Sequence, residues 1–210
     1  MSFAPDQLPN VSRETLDRLN TLATFTKKWT AKINLVAPAT VPNIWTRHIL
    51  DSLQLWQHRP DKCSLWYDLG SGGGYPGLVL AALAAQDNVD ASFTLIESDQ
   101  RKCVFLRQAA AAMGISVSVV PGRVEAFDGP AANVISARAF ASIEKTLSIS
   151  KEFTGSSTVF ILPKGKTAAE ELEAASESWS FNCDQTISET APDASILVLS
   201  SIKPRNGSEK

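Results

Sequence analysis

The sequence predicts an α/β fold, a parallel, doubly wound sheet flanked by helices. From residue 64 onward, short apolar runs of strand length alternate with longer helical patterns, an order typical of parallel sheets. A glycine-rich loop, 70–74, follows the first of these runs and precedes a helical pattern, as it does where open α/β sheets bind ligands. The residues before this alternation have a helical period, so we expect helices added to the sheet domain.

The first 60 residues are predicted to form two helices. Apolar residues recur every three or four positions over 16–33, and Ser12 is placed to cap the first helix. We expect this helix to end near residue 37, before a proline. A second helix is expected to run over about 44–56. Residues 1–60 are therefore predicted to be a helical extension packed on the core.

The remaining elements follow in order along the chain. Gly114 stands where a glycine commonly ends a helix. We expect a Rossmann-like core over 61–203 and a loose tail over 204–210. Strands are predicted at 64–69, 92–96, 117–120, 134–136, 159–162 and 196–199, and helices at 76–85 and 100–113.

The composition excludes several classes of protein. With 44% hydrophobic and 20% charged residues the chain is an ordinary globular sequence, and no apolar run reaches the roughly 18 residues of a membrane span. Its first ten residues lack the basic and apolar regions of a secretory signal. The three cysteines, odd in number and widely spaced, favour neither a zinc site nor disulfides. We therefore expect a cytoplasmic protein without a metal and without membrane contact.

The distribution of charge along the chain indicates whether nucleic acid can be a binding partner. The net charge of −2 argues against nucleic acid, but residues 1–166 carry 17 Lys and Arg against 14 Asp and Glu. Residues 167–202 carry seven acids and no Lys or Arg. This asymmetry predicts a basic face, to which Lys164 and Lys166 would belong, and an acidic back away from it.

The strongest local signal is the run Y-D-L-G-S-G-G-G-Y-P-G at 67–77. An apolar strand ends at Asp68, and four glycines within five residues lead into a helix. Glycine permits positive φ and lets a backbone approach a ligand closely. Two interpretations of the spacing stay open. Residues 72–77 satisfy the dinucleotide pattern G-x-G-x-x-G, and residues 68–74 (D-x-G-x-G-x-G) form the acid-led loop of Rossmann-like S-adenosylmethionine enzymes.

Two further positions fit a nucleoside. Glu97 ends the next predicted strand, 23 residues after Gly74. An acid there can accept hydrogen bonds from both ribose hydroxyls, in NAD and in S-adenosylmethionine alike. Residues 122–127 follow the third strand, where backbone groups and an apolar side chain can hold an adenine ring.

Several segments together resemble one family, the small-subunit ribosomal RNA methyltransferases known as RsmG or GidB. The R-H-I-L-D-S run at 47–52 and the S-A-R-A-F-A-S run at 136–142 are the specific ones. The matching segments occur in the family's order at 34–35, 47–52, 68–77, 101–108, 123–127, 136–142 and 162–166. The chain departs from the family pattern at Gly73, Tyr75, Ala137 and Pro163.

The resemblance implies a Rossmann-like class I fold and S-adenosylmethionine as cofactor. It also implies methylation at N7 of a guanine in the 530 loop of 16S ribosomal RNA, so the partner would be that RNA or the small ribosomal subunit. We expect a monomer. Together, the resemblance and the strand-end pattern predict these cofactor-binding residues: Asp68, Gly70, Gly72, Tyr75, Glu97, Val124, Glu125 and Arg138.

The chemistry implied by the resemblance requires no general base, because guanine N7 carries a lone pair and no proton. We therefore expect catalytic residues that position the substrate. These are His48 and Asp51, three apart on the second helix, with Arg138 and Lys164 at predicted strand ends. An ion pair on the helix surface explains His48 and Asp51 equally well. His58 is expected at an exposed helix end, so neither histidine indicates a metal site.

Two other functions fit parts of the pattern. A nicotinamide-dependent oxidoreductase would share the glycine loop and Glu97, but 210 residues leave little room for a substrate domain with its own acid and base. A non-enzymatic RNA-binding module would need neither the loop nor Glu97. Binding of S-adenosylmethionine or of NAD would distinguish the three functions.

Overall fold

The computed structural model describes residues 11–205. Its strands are β1 (Leu65–Leu69), β2 (Ser92–Glu97), β3 (Ser118–Pro121), β4 (Ala132–Ala137), β5 (Thr154–Lys164), β6 (Trp179–Ile187) and β7 (Ser195–Pro204). They form one sheet in the order β3-β2-β1-β4-β5-β7-β6. The first five strands are parallel, and β7 runs antiparallel to both β5 and β6. The prediction of a mostly parallel sheet is confirmed.

The helices of the sheet region begin and end close to their predicted bounds. Gly114 ends the second of them in a left-handed conformation, with φ of 64°, as predicted. The helices of the whole described chain are α1 (Arg13–Thr30), α2 (Asp51–Leu53), α3 (Gly77–Gln86), α4 (Gln100–Met113), α5 (Ile143–Ile149) and α6 (Ala168–Ser178).

Three elements lie outside the prediction: α5, α6 and β6. β6 is an edge strand whose side chains are mostly exposed after Trp179. Its polar sequence carries no strand pattern, because backbone pairing with β7 rather than burial holds it in the sheet. α5 is only seven residues long, and α6 buries just Ala168 and Ala175 completely, so neither presents a long apolar stripe.

The N-terminal region is helical as predicted, with different boundaries. Ser12 caps α1 through its side chain. α1 ends at Thr30 rather than near residue 37, and just beyond it the N–H of Lys32 donates to the Trp29 carbonyl three residues back, in a tighter turn than the α-helical one. The predicted second helix is instead a run of short turns over 38–58. These are a 3₁₀ turn (Pro38–Asn43), a π-helical turn (Trp45–Leu50), α2, and a second 3₁₀ turn (Gln54–His58).

Two apolar clusters, one on each face of the sheet, form the core. The first joins α1, the 38–58 segment, α3 and α4 to the sheet, and the second joins α5 and α6. Neighbouring residues of β1 alternate between them, since Trp66 belongs to the first cluster and Tyr67 to the second. Trp56 stacks on Trp66 with ring centroids 6.0 Å apart. The N-terminal helices therefore share their core with the sheet.

The predicted domain boundaries meet the structure at both ends. The division at residue 60 falls between the second 3₁₀ turn and β1, and as a domain boundary it stays a prediction. Pro204, the first residue of the expected tail, is the last residue of β7, and the N–H of Arg205 donates to the carbonyl of Ser178. Residues 206–210 lie outside the described residues.

Candidate active site

The loops that follow the parallel strands meet at one edge of the sheet. Because the carboxyl ends of parallel strands point the same way, the loops after β1, β2, β3, β4 and β5 lie side by side. The smaller cleft at this edge has a volume of about 130 Å³ and includes Gly70 and Val124 in its lining. The larger cleft has a volume of about 460 Å³ and includes Arg138. Phe140 and Ala141, in the loop after β4, line both clefts.

The glycine loop follows β1 and borders the smaller cleft. Gly70 has a φ of +63°, a conformation that side chains with a Cβ rarely adopt. A Cβ built on Gly70 would lie 2.4 Å from Cδ2 of Phe140. Both its backbone conformation and its contact with that ring therefore require glycine at position 70. Gly72 has a φ of +53°, and a Cβ there would make only an ordinary contact, 3.7 Å from the Gly70 carbonyl oxygen.

Asp68 supports the loop from below. Its carboxylate is buried, and Oδ1 accepts a 2.7 Å hydrogen bond from the Ser136 hydroxyl, which lies opposite it in the β1–β4 register. Burial raises the pKa of Asp68 to about 6. Asp68 is not among the lining residues of either cleft. In this structure it stabilises the edge of the sheet on which the glycine loop rests.

Glu97, at the end of β2, ties the glycine loop to the neighbouring strand. Its Oε2 accepts a hydrogen bond from the Gly72 N–H at 2.8 Å, and its Oε1 accepts one from the Asp99 N–H at 2.8 Å. The residue is only 6% exposed. Each carboxylate oxygen can accept a second bond. The predicted ribose contact is therefore compatible with this geometry and stays a prediction.

The other predicted cofactor residues divide between three places. Val124 and Glu125 line the smaller cleft from the 3₁₀ turn Val124–Ala126, Val124 buried and Glu125 exposed. Arg138 lines the larger cleft. The Tyr75 side chain lies in the first apolar cluster, where its hydroxyl is 2.9 Å from Oγ1 of Thr26 on α1. Burial raises the pKa of that phenol. The Tyr75 ring thus faces the N-terminal helices and lines neither cleft.

Three of the predicted catalytic residues meet through Arg138. Its Nη2 donates to the Arg47 carbonyl at 2.8 Å and lies 3.0 Å from Nδ1 of His48. Its Nε is 3.3 Å from Oδ2 of Asp51. The other oxygen of Asp51 accepts a 2.8 Å bond from the Thr190 hydroxyl. His48 and Asp51 therefore belong to a network that holds Arg138, and not to an isolated pair on a helix surface.

His48 is neutral in this network. Burial, with the charges of Arg138 and Arg47, lowers its pKa to about 3. Since an arginine has only donors, Nδ1 of His48 must accept from Arg138. The proton then resides on Nε2, which lies 2.8 Å from the Thr40 hydroxyl. The lone pair that a general base would use is engaged by a guanidinium.

Lys164 lies at the end of β5 and is also paired. Its Nζ donates to the carbonyl of Ala141 and to Oε2 of Glu171, both at 2.7 Å. Lys166 lies 3.2 Å from Asp193 in an exposed pair. The expected separation of acidic and basic segments is therefore wrong for these two lysines. The acids of α6 and of the β6–β7 loop reach across to them because those elements fold back onto the end of β5.

Sequence reasoning missed the groups that complete the larger cleft. The Gln54 side chain bonds to Ser188 Oγ and accepts from the Glu189 N–H, which fastens the β6–β7 loop to the 38–58 segment. Phe140 lies in the resembling run 136–142 but was assigned no role. Gln54 and its partners are more than 130 residues apart, so no local pattern identifies them. Membership of the 136–142 run was the available signal for Phe140.

Two further findings on residues 11–205 concern metal ions and membranes. Among them, no group of His, Cys, Asp and Glu is arranged to hold a metal ion. Within the same range, no helix has the length and apolar character needed to cross a membrane.

His58, which was expected at an exposed helix end, is half-buried, and burial lowers its pKa.

The order and direction of the strands, five of them parallel and β7 antiparallel to its neighbours, are those of a Rossmann-like class I methyltransferase fold. A TehB-like SAM-dependent methyltransferase from Corynebacterium glutamicum shares the fold, with a TM-score of 0.57 over 87% of this chain and 99% of that chain, at 12% identity. TYW2 from M. jannaschii, solved in complex with AdoMet, has a TM-score of 0.57 over 84% of this chain and 80% of its own, at 13% identity.

Within that class, residues 15–195 match the model of one family, GidB, described as rRNA small subunit methyltransferase G. A ribosomal RNA small subunit methyltransferase G from Ruegeria sp. (strain TM1040) is 42% identical over 194 residues, which cover 92% of this chain and 94% of that protein. The same-named protein of Rhodospirillum centenum (strain ATCC 51521 / SW) is 42% identical over 195 residues, covering 93% and 88%. The chain belongs to the rRNA small subunit methyltransferase G family, and the resemblance seen in its sequence is confirmed.

Proposed function

We propose that the protein, a cytoplasmic monomer, transfers the methyl group of S-adenosylmethionine to N7 of a guanine in 16S ribosomal RNA. The observation that carries the proposal is the pair of adjoining clefts. The smaller one borders the glycine loop, the larger one is lined by three cations and two carboxylates, and the two share Phe140 and Ala141. Two binding sites with a common wall suit a reaction in which two bound molecules must be aligned in line.

We assign S-adenosylmethionine to the smaller cleft and the surface beside it. Gly70 and Val124 line this cleft, Val124 with apolar surface for an adenine ring. Glu97 lies between the lining residues Ile96 and Ser98, and its carboxylate oxygens can accept from ribose hydroxyls. Once bound, the cofactor supplies an electrophilic methyl group on a sulfonium sulfur. Tyr75 contributes its backbone to the loop, while its side chain positions the loop against α1.

The larger cleft fits the target nucleotide. A purine that attacks through N7 gains positive charge as the new bond forms. The face of an aromatic ring attracts a cation more strongly than a neutral group. Phe140 lies where the two clefts meet, so a guanine stacked on its ring would be stabilised more in the transition state than before it.

No residue needs to remove a proton in this reaction. N7 attacks with a lone pair that carries no proton, and His48, the histidine nearest the larger cleft, is neutral with Nδ1 held by Arg138. We therefore assign positioning, and not proton transfer, to His48, Asp51, Arg138 and Lys164. Arg138 and Lys164 hold the 136–142 loop that carries Phe140.

The test has a binding arm and a product arm. S-adenosylmethionine should raise the melting temperature of the protein, whereas NAD should not, because only a ligand of the folded state stabilises it. Labelled methyl groups from S-adenosylmethionine should appear in 16S transcripts or in small ribosomal subunits as 7-methylguanosine, identified by mass spectrometry of the nucleosides. Stabilisation by NAD alone would support the oxidoreductase alternative, and label on an exocyclic amine or a ribose would contradict N7 as the acceptor.

A further inference from the structure

The charges that line the larger cleft do not cancel. Its charged residues are three cations, Arg47, Arg138 and Lys164, and two carboxylates, Asp51 and Glu171. One positive charge is therefore left over. A cleft with a single uncompensated positive charge fits a ligand group with a single negative charge.

Arg138 and Lys164 are occupied by partners within the chain. Arg138 is paired with Asp51 and donates to two further acceptors on the 38–58 segment. Lys164 is paired with Glu171 and donates to the carbonyl of Ala141. The side chains of these cations are 21% and 12% exposed, respectively. Neither can bind an anion without giving up a contact that shapes the cleft.

Arg47 differs from both. It is exposed, and its guanidinium makes neither an ion pair nor a hydrogen bond with the residues that the structure describes. Its backbone is nevertheless held, because Arg138 binds its carbonyl at 2.8 Å. It lies in the π-helical turn Trp45–Leu50, a conformation that is rare and frequent at functional sites. Because Asp51 compensates the neighbouring Arg138, the uncompensated positive charge of the cleft lies on Arg47.

We propose that Arg47 binds the phosphodiester of the target nucleotide, and that it is the RNA-contacting cation of the larger cleft. A phosphodiester has one negative charge and two oxygens that match the guanidinium fork. The base is the less favourable partner, since N7 becomes positive during the reaction and a cation beside it would oppose the step. This inference rests on the proposed function, because it takes the substrate to be RNA.

The experiment compares Arg47→Gln and Arg47→Lys with the wild type. A 16S rRNA transcript is titrated between 50 and 200 mM salt without cofactor. One lost phosphate contact lowers the slope of log K against log salt by about 0.7 on a single strand, so Arg47→Gln should show that loss and Arg47→Lys should retain the wild-type slope. In methyl-transfer assays Arg47→Gln should raise the KM for RNA about ten-fold with little change in kcat. Calorimetry should give unchanged affinity for S-adenosylmethionine.

Lys151→Gln is the matched control. Lys151 is exposed and lines neither cleft, so Lys151→Gln should leave the salt slope unchanged. An unchanged slope in Arg47→Gln, or an equal loss in Lys151→Gln, would overturn the assignment of Arg47. Failure of the proposed function gives a different result. In that case the wild type would transfer no methyl group to rRNA, whatever the salt slopes of the variants.

Discussion

The two clefts share a wall but are built by different means. Around the smaller cleft, backbone geometry dominates: Gly70 has positive φ, and the N–H of Gly72 donates to Glu97. Around the larger cleft, side chains from distant segments pair with one another, as Arg138 does with Asp51 and Lys164 with Glu171. A substitution near the smaller cleft acts through space and backbone conformation, whereas one near the larger cleft acts through unpaired charge.

This difference shows that a cation at a strand end is not thereby a ligand-binding group. Arg138 and Lys164 lie where ligands bind in open α/β sheets. Both donate hydrogen bonds that hold the loop between β4 and α5 in place. Arg47, which is exposed and lies outside the sheet, is the cation that remains available to bind the substrate. Four predictions test this difference between the two clefts.

The largest effect is expected for Gly70→Val. A β-branched residue is strained at φ of +63°, and its Cβ would overlap the Phe140 ring. We expect the variant to lose measurable affinity for S-adenosylmethionine in calorimetry while circular dichroism still shows a folded protein. Gly165→Ala is the control, because a Cβ there meets nothing within 4 Å, and cofactor affinity should not change. Wild-type affinity in Gly70→Val would show that the backbone of this loop does not shape the cofactor site.

Arg138→Ala tests the side-chain network. It leaves Oδ2 of Asp51 and Nδ1 of His48 without their donor in a partly buried place, so the free energy of unfolding should fall by about 2 kcal/mol in urea denaturation. Arg101→Ala removes an exposed pair with Asp99 and should leave the urea midpoint unchanged. Equal stability of both variants would mean that the larger cleft does not depend on its ion pairs.

Asp68→Asn tests the buried carboxyl beneath the glycine loop. The folded-state pKa of about 6 is above the unfolded value, so the folded protein takes up a proton before the unfolded chain does as the pH falls. Wild-type stability should therefore gain about 1 kcal/mol relative to Asp68→Asn between pH 7 and pH 5. The measurement is urea unfolding of both proteins at the two pH values. A difference that stays constant with pH would contradict a raised pKa.

The smallest effect is expected in the pH dependence of the reaction. Because burial and its two arginine neighbours hold the pKa of His48 near 3, its charge does not change between pH 6 and 9. Single-turnover methyl transfer at saturating substrates should be level over that range. His48→Ala should weaken RNA engagement and leave cofactor affinity nearly intact. A wild-type rate that falls steeply below pH 7, with the fall abolished in His48→Ala, would instead make His48 a base and N7 the wrong acceptor.

The same histidine makes the protein less stable in acid. Its folded-state pKa lies below the unfolded value, so the unfolded chain binds a proton that the folded protein does not as the pH falls from about 6.5 towards 3. Asp68 works in the opposite direction above pH 4. The stability of the protein in acid therefore reflects both Asp68 and His48, and only the two single variants separate their contributions.

Local patterns in the sequence are enough to predict most of the sheet and the glycine loop, and the family resemblance predicts the class of enzyme. Strands with buried side chains, the glycines of 70–74 and the helix-ending Gly114 are constraints between near neighbours, so they can be identified without a fold. β6 was missed because an edge strand needs no apolar pattern. The predicted end of α1 is too late because the apolar period continues to Ile33, whereas the helix ends at Thr30.

Which charged side chains are available to a substrate depends on contacts between segments that are far apart in the sequence. Thr190 reaches Asp51 across 139 positions, and Arg138 reaches His48 across 90. Pairing of this kind depends on how the N-terminal segment and the β6–β7 loop pack beside the strand ends, and no spacing along the chain records it. Local backbone constraints are therefore visible in the sequence, whereas the partners of Arg138 and Lys164, which Arg47 lacks among the described residues, are visible only in three dimensions.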